Sequence, residues 1–163
     1  MARTVFFSFH YGNDVSRAMI VRNSWVTQGG QKAAGFIDGA EFEKIKRQGD
    51  TAIKKWIDEQ LQGTSVTVVL IGSETLSREY VQYEICQSLN RGNAIIGVHV
   101  NNIKDLNSKT STKGDAQVKI GTYKDGSPVY FNAIVQGIYD YSLNDGYNNM
   151  GTWIEDAAKA KGK

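Results

Sequence analysis

The side chain and the predicted position of one glutamate, Glu84, suit chemistry on a sugar. Glu84 lies in Glu79–Asn90, a segment with helical spacing that follows the apolar, β-branched run Thr64–Ile71. A carboxylate just past the end of such a strand can accept hydrogen bonds from ribose hydroxyls. It can also stabilise the positive charge of an oxocarbenium ion, as carboxylates do in glycosidic cleavage.

The helical phase of Glu84 leaves two interpretations open. The buried stripe of the predicted helix is formed by Val81, Ile85 and Leu89. Glu84 belongs to the neighbouring row, roughly 60° away, at the edge of the buried face. It is therefore either a catalytic carboxylate or a solvated helix glutamate paired with Arg91 or Lys55.

Other charged and aromatic residues give weaker indications of a catalytic role. His10 follows the first predicted strand and is either a hydrogen-bonding residue or a base, and Asp14 is either a helix cap or a catalytic group. Asp38, Glu41 and Glu43 are predicted to lie in a solvated loop. The basic residues Lys44, Lys46, Arg47, Lys54 and Lys55 are typical of a charged face. Trp25, Trp56 and Trp153 are predicted core residues.

Several classes of function are disfavoured by composition and motifs. The chain has 163 residues, 40% hydrophobic and 22% charged, with a net charge of +2, which is ordinary globular composition and argues against nucleic acid or an anionic membrane as a partner. Cys86, the one cysteine, is predicted to be a buried inert thiol, and no metal-ligand spacing is present. No P-loop, dinucleotide-binding glycine turn or nucleophile elbow occurs. No secretory signal or membrane segment is evident, which favours a cytoplasmic protein.

The elements around Glu84 are predicted to alternate between strand and helix. Thr4–Phe9 is predicted as a buried strand and Ser16–Val26 as a helix capped by Asn13 or Asp14. The inner face of that helix is predicted to carry Ala18, Ile20, Val21 and Trp25. Ala33–Ile37 is predicted as a second strand, and Asp38–Gln48 as a loop with some helical turns.

The next predicted helix covers Thr51–Leu61 and is capped by Asp50, before the strand–helix–strand unit that carries Glu84 and ends at Val100. Asn101–Gln117 is predicted as a long surface loop. The predicted elements after it are a hairpin, Val118–Tyr123 with Val129–Ile134, and a closing helix, Gly146–Ala160. This order predicts a single α/β domain over residues 1–163 with a doubly wound, mostly parallel sheet.

Ligands of open α/β sheets bind at the carboxyl ends of the strands. Those ends present Ser8, Phe9, His10 and Tyr11 from the first strand, Gly72–Ser77 from the third, and Asn101 and Asn102 from the fourth. Hydroxyls, amides and aromatic rings of this kind suit a sugar or a nucleobase better than a naked phosphate.

Six segments together resemble the TIR-like (Toll/interleukin-1 receptor) family of sensor proteins in bacterial Thoeris antiphage defence. They are VFFSFHY, VRNSWVT, AAGFIDGAEFE, TSVTVVLIGSET, YVQYEICQSLNRGNAIIGVHV and, near the C-terminus, DGYNNMGTWI. The resemblance covers most of the chain and implies a flavodoxin-like TIR fold. It also implies cleavage of NAD, as substrate and without a further cofactor, at the nicotinamide–ribose bond, and formation of a cyclic ADP-ribose isomer.

The resemblance also implies roles for particular residues. The family's catalytic glutamate lies in a W-V-x-Y-E-I context, which matches Tyr80–Ile85 and points to Glu84, with Tyr80 in place of the tryptophan. The predicted substrate-binding positions are Phe7, Ser8, Phe9, His10, Tyr80, Tyr83 and Asn101. The long loops at Gln28–Gly49 and Asn101–Gln117 are predicted to close the site.

The partners that the resemblance implies are an effector of the ThsA type, activated by the cyclic messenger, and a phage component as trigger. Self-association is a further expectation. Two alternatives remain from the residues themselves: a non-catalytic TIR-type interaction module and a sensor that binds a nucleotide without reacting.

Overall fold

The structure, a computed structural model, describes residues 3–29, 32–35 and 39–163. Its strands are β1 Thr4–Ser8, β2 Lys32–Ala34, β3 Val66–Ile71, β4 Ala94–His99, β5 Lys119–Thr122, β6 Pro128–Tyr130 and β7 Gly137–Asp140. Its α-helices are α1 Tyr11–Gly29, α2 Gly39–Arg47, α3 Asp50–Leu61, α4 Glu79–Asn90, α5 Phe131–Ile134 and α6 Gly146–Ala160, and a short 3₁₀ helix covers Thr75–Ser77.

Five strands form one sheet in the order β2–β1–β3–β4–β7, and every neighbouring pair is parallel. This is the predicted flavodoxin-like arrangement. From β1 the chain first adds β2 on one side and then β3 on the other, so the strand order reverses at β1. Open sheets bind their ligands in the crevice at such a switch point, beyond the carboxyl ends of the strands.

Helices cover both faces of the sheet, which is why the central strands are buried along their whole length and are mostly apolar. All six residues of β3 and all six of β4 are buried. Alternation along β1 sends neighbouring phenylalanines to opposite faces. Phe7 packs into the cluster formed with α1 and α6, whereas Phe6 packs against Ile53, Ile57 and Leu61 of α3.

Two predictions between residues 33 and 48 need correction. The predicted loop Asp38–Gln48 contains a helix, α2, because Ile45 packs against the Phe6 cluster and anchors an otherwise charged segment. The predicted strand Ala33–Ile37 is found as Lys32–Ala34. Residues 36–38, including Asp38, lie outside the described part of the chain.

The predicted helix caps were wrong. Helix α1 begins at Tyr11, and the Asp14 amide already bonds the His10 carbonyl, so Asn13 and Asp14 lie within its first turn. Helix α3 includes Asp50, whose carboxylate accepts a hydrogen bond from the Tyr80 hydroxyl, at 2.9 Å, rather than capping the helix. On α1, Ala18, Val21 and Trp25 are buried as predicted, but Ile20 is 47% exposed.

The C-terminal third is partly as predicted. The hairpin is present, antiparallel, around Asp125-Gly126, and α6 has its predicted bounds. The predicted strand Val129–Ile134 ends at Tyr130, because Phe131 turns into α5 and is buried against Gly97 of β4. Strand β7, at the sheet edge, was not predicted.

Candidate functional site

A cavity of about 380 Å³ opens at the carboxyl end of β1, between α2, α3 and α4. We call it the Glu84 cavity. Its apolar walls are formed by Phe9, Ile53, Trp56, Ile57, Tyr80 and Val81, and its charged or titratable lining residues are His10, Glu43, Lys46, Arg78, Glu79 and Glu84. Aromatic walls with a few convergent polar groups are typical of a small-molecule site.

Glu84 is the buried charge-bearing group of this cavity, with 7% of its surface exposed. The Ser8 hydroxyl donates a hydrogen bond to its Oε1 at 2.7 Å. Among the residues that the structure describes, no lysine or arginine forms an ion pair with it, and Arg91 instead bonds Asn93 and the carbonyl of Thr64. The solvated, ion-paired glutamate is therefore the wrong interpretation.

Burial without an ion-pair partner makes Glu84 a weaker acid. Loss of solvation raises its pKa from 4.5 to about 8, and the hydrogen bond from Ser8 acts in the opposite direction by stabilising the charged form. A carboxyl with a pKa near physiological pH can hold either charge state and can accept or return a proton.

The position of Glu84 is fixed by hydroxyl contacts between α4 and the sheet. One turn further along α4, the Ser88 hydroxyl lies 2.7 Å from the hydroxyl of Thr67 on β3 and 2.7 Å from the carbonyl of Glu84. Ser8, the last residue of β1, makes the corresponding contact to the carboxylate. The helix is thus held at two points along one face, and the Glu84 carboxylate has little freedom to move.

The structure distributes the predicted substrate-binding residues between the cavity and its surroundings. Phe9, His10 and Tyr80 line the cavity together with Glu84, and Ser8 supports Glu84. Three others do not line it. Phe7 is fully buried on the opposite face of the sheet, the Tyr83 hydroxyl donates to Asp58, and Asn101 is buried at the end of β4.

His10 and Asp14, the weaker candidates, lie at the same sheet edge. Burial lowers the pKa of His10, and the positive charge of Arg78 lowers it further, so the imidazole is neutral near pH 7. Asp14 is buried away from the cavity, where it pairs with Arg17 at 3.2 Å, and burial raises its pKa against the effect of Arg17.

Sequence reasoning missed several cavity residues. Trp56 was assigned to the core and Lys46 and Glu43 to charged surfaces, because the packing of α2 against α3 that brings them to the cavity is not visible in the spacing. Arg78 had a usable signal. It directly precedes α4 in the loop after β3, where strand-end sites recruit their ligands.

Three predicted absences concern a metal site, a reactive thiol and a membrane-spanning segment. Within the described ranges, no group of three His, Cys, Asp or Glu side chains is placed to hold a metal ion. Cys86 is half-buried, its thiol faces the Ile120 carbonyl at 3.4 Å, and burial raises its pKa, which disfavours the reactive thiolate. In the same part of the chain, no helix combines the length and apolarity needed to cross a membrane.

Comparison with known proteins identifies the family. The model of the TIR-like domain of the Thoeris protein ThsB matches residues 6–105, which include the end of β1 with Ser8 and all of α4 with Glu84. A curated relative, ThsB1 of Bacillus cereus (strain MSX-D12), named as a proposed cyclic ADP-D-ribose synthase, is 37% identical, and the match covers 94% of this chain and all of the relative. The chain belongs to the TIR-like ThsB family of Thoeris proteins.

Proposed function

We propose that this protein cleaves NAD at the bond between nicotinamide and ribose and converts the remainder into a cyclic ADP-ribose isomer. The observation that carries the proposal is the environment of Glu84. Its buried carboxyl accepts a hydrogen bond from the Ser8 hydroxyl and forms no ion pair with any of the described residues. It faces a cavity with aromatic walls. The name of the Bacillus cereus relative, a proposed cyclic ADP-D-ribose synthase, supports the same chemistry.

The first step breaks the glycosidic bond. Nicotinamide leaves with the bonding electron pair and becomes neutral, while positive charge develops on the ribose C1′ and ring oxygen. The Glu84 carboxylate stabilises that charge and accepts hydrogen bonds from the ribose hydroxyls. In the free protein the Glu84 carboxyl has a pKa of about 8. Binding of the positively charged nicotinamide ribose favours the ionised form of Glu84.

The second step decides the product. A hydroxyl of the same molecule attacks C1′ and transfers its proton to Glu84, which gives a cyclic ADP-ribose isomer. Attack by water with the same proton transfer gives linear ADP-ribose. Cyclisation therefore requires a site that keeps water out and folds the substrate back on itself.

Closure of the site is proposed to come from the α2 side. Glu43 and Lys46 of α2 line the Glu84 cavity. The Asn101–Gln117 loop does not line it, and Arg17 holds that loop in place by donating to the carbonyls of Ile103 and Lys109 at 2.8 and 3.0 Å. Of the two segments expected to close the site, the one containing α2 is therefore the better candidate.

The cellular role that we propose is signalling. The cyclic product would activate an effector of the ThsA type once a phage component triggers synthesis, and self-association would complete the site. The test is chromatography of NAD incubated with the purified protein, alone and in lysate of phage-infected cells. A new cyclic ADP-ribose species that activates a purified ThsA-type effector supports the proposal.

Other outcomes assign other functions. Linear ADP-ribose alone indicates a hydrolase. Intact NAD in both settings, with the protein folded and the trigger present, contradicts the enzymatic proposal and favours a non-catalytic interaction module. Binding of NAD without nicotinamide release favours a sensor.

A further inference from the structure

Two side chains that can donate hydrogen bonds, Arg78 and His10, line the Glu84 cavity in addition to Glu84 itself. Arg78 directly precedes α4, and His10 follows β1 by two residues. Both line the cavity, and the positive charge of Arg78 adds to the effect of burial in lowering the pKa of His10.

Both side chains hold unused hydrogen-bonding capacity. Arg78 pairs through Nη2 with Glu74 at 3.0 Å, but its Nε is buried and has no partner in ranges 3–29, 32–35 and 39–163. The Nδ1 of His10 is buried and unpartnered in the same sense. Buried polar atoms without partners destabilise a fold, so lining residues that carry such atoms are candidates to bind a ligand that supplies acceptors.

The spacing from Glu84 suggests which part of a ligand these groups meet. Arg78 lies six residues before Glu84, about 9 Å along the helix axis. His10 lies two residues beyond Ser8, at most about 7 Å along the chain. Arg78 and His10 therefore lie beyond the Ser8–Glu84 contact, on the side where β1 ends and α4 begins.

We infer that Arg78, assisted by His10, binds the diphosphate of the dinucleotide whose ribose contacts Glu84. This inference rests on the proposed function, since the diphosphate follows the ribose in NAD. A guanidinium presents several donors in a rigid plane, so Arg78 can hold Glu74 through Nη2 and donate to a phosphate through Nε. The neutral imidazole adds one N–H donor.

General attraction of anions does not account for the site. Glu43 and Glu79 line the cavity beside Lys46, so positive charge does not dominate there. Binding of a diphosphate would depend on the directed contact from Arg78 rather than on net charge, and replacing the fork should matter more than changing a nearby carboxylate.

The experiment measures the affinity of ADP-ribose by calorimetry and the kcat and KM for NAD. The variants are Arg78→Gln, Arg78→Lys and Glu74→Gln, and the matched control is Arg91→Gln at the opposite end of α4. Arg78→Gln should weaken ADP-ribose binding and raise the KM for NAD, each about tenfold, with kcat changed less than twofold. Arg78→Lys should be intermediate, since charge remains without the fork.

The controls separate a phosphate contact from a structural role. Glu74→Gln removes the ion pair of Arg78 but should leave ADP-ribose affinity intact, and so should Arg91→Gln. Equal losses in Arg78→Gln and Arg91→Gln, a loss confined to kcat, or no binding of ADP-ribose by the unaltered protein would overturn the inference. If the unaltered protein binds ADP-ribose but does not cleave NAD, the proposed function fails while the affinities still decide the role of Arg78.

Discussion

Two buried carboxyls, Asp14 and Glu84, lie at the same edge of the sheet and differ in their surroundings. Both are nearly inaccessible to solvent, and burial raises the pKa of both. Asp14 pairs with Arg17 and lies within reach of the Thr75 hydroxyl at 3.4 Å, so its charge is compensated. The Glu84 carboxylate instead accepts a hydrogen bond from the Ser8 hydroxyl, has no ion-pair partner among the described residues, and faces a cavity.

The difference shows how to separate a structural carboxyl from a reactive one. Arg17 joins Asp14 to two backbone carbonyls of the loop after β4, so this cluster holds α1 and that loop together. Glu84 makes no such connection among the described residues. Its ionisation is left uncompensated until a cationic ligand arrives, which is the arrangement expected of a group that acts on developing positive charge.

Removing the Glu84 carboxylate should have the largest effect on activity. Glu84→Gln keeps the shape and the hydrogen bond with Ser8 but not the charge, so the rate of nicotinamide release should fall by at least about 10²–10³-fold. The measurement is single-turnover release of nicotinamide. Circular dichroism should show an unchanged fold, and a variant that retains more than a tenth of the rate would remove Glu84 from the mechanism.

Disrupting the cluster of Asp14 and Arg17 should lower the stability of the fold rather than the activity. Arg17→Met leaves Asp14 buried without its cation and the Ile103 and Lys109 carbonyls without a donor. We expect the free energy of unfolding to fall by about 3–5 kcal/mol, measured by urea denaturation. The kcat of the folded fraction should stay within a few-fold, and a loss as large as that of Glu84→Gln would erase the distinction between the clusters.

The pH dependence of stability should differ between the native protein and Glu84→Gln. The folded pKa of Glu84, about 8, lies above its usual 4.5, so the folded state holds this proton more tightly and loses stability as pH rises from about 4.5 to 8. Glutamine does not titrate. The variant should therefore gain up to a few kcal/mol over the native protein between pH 5 and pH 8, and parallel urea-denaturation profiles across that range would contradict the raised pKa.

The smallest effect concerns the support of Glu84. Ser8→Ala removes the hydroxyl that stabilises the ionised form of Glu84, so the pKa of Glu84 should rise further. Since the mechanism uses the ionised carboxylate, the acidic limb of the pH–rate profile should shift to higher pH. We expect about a tenfold loss of kcat at pH 7.5. Thr64→Val is the matched control, since it removes a buried hydroxyl that donates to the Leu61 carbonyl and takes no part in holding α4 at Glu84, and its pH profile should not move.

The sequence predicted the parts of this site that depend on local spacing. The phase of Glu84 in α4 correctly placed it at the edge of the buried face, and the strand-end rule placed Ser8 and His10 at the same edge. The Ser8–Glu84 contact itself joins residues 76 positions apart, and helical or strand periodicity carries no information about such a pair.

The elements that were missed have weak local signals for physical reasons. Helix α2 is mostly charged, and its burial depends on Ile45 meeting the Phe6 cluster. Strand β7 has four residues and one neighbouring strand, and its Ile138 is 38% exposed, so it shows no buried apolar run. The roles of Lys46 and Trp56 depend on the same tertiary packing of α2 and α3.

The most direct measurement compares nicotinamide release from NAD by the native protein, Glu84→Gln and Arg17→Met in lysate of phage-infected cells, at equal concentrations of folded protein. The account predicts release by the native protein and by Arg17→Met, and none above background by Glu84→Gln. Release by Glu84→Gln at the native rate would contradict the assignment of the chemistry to Glu84.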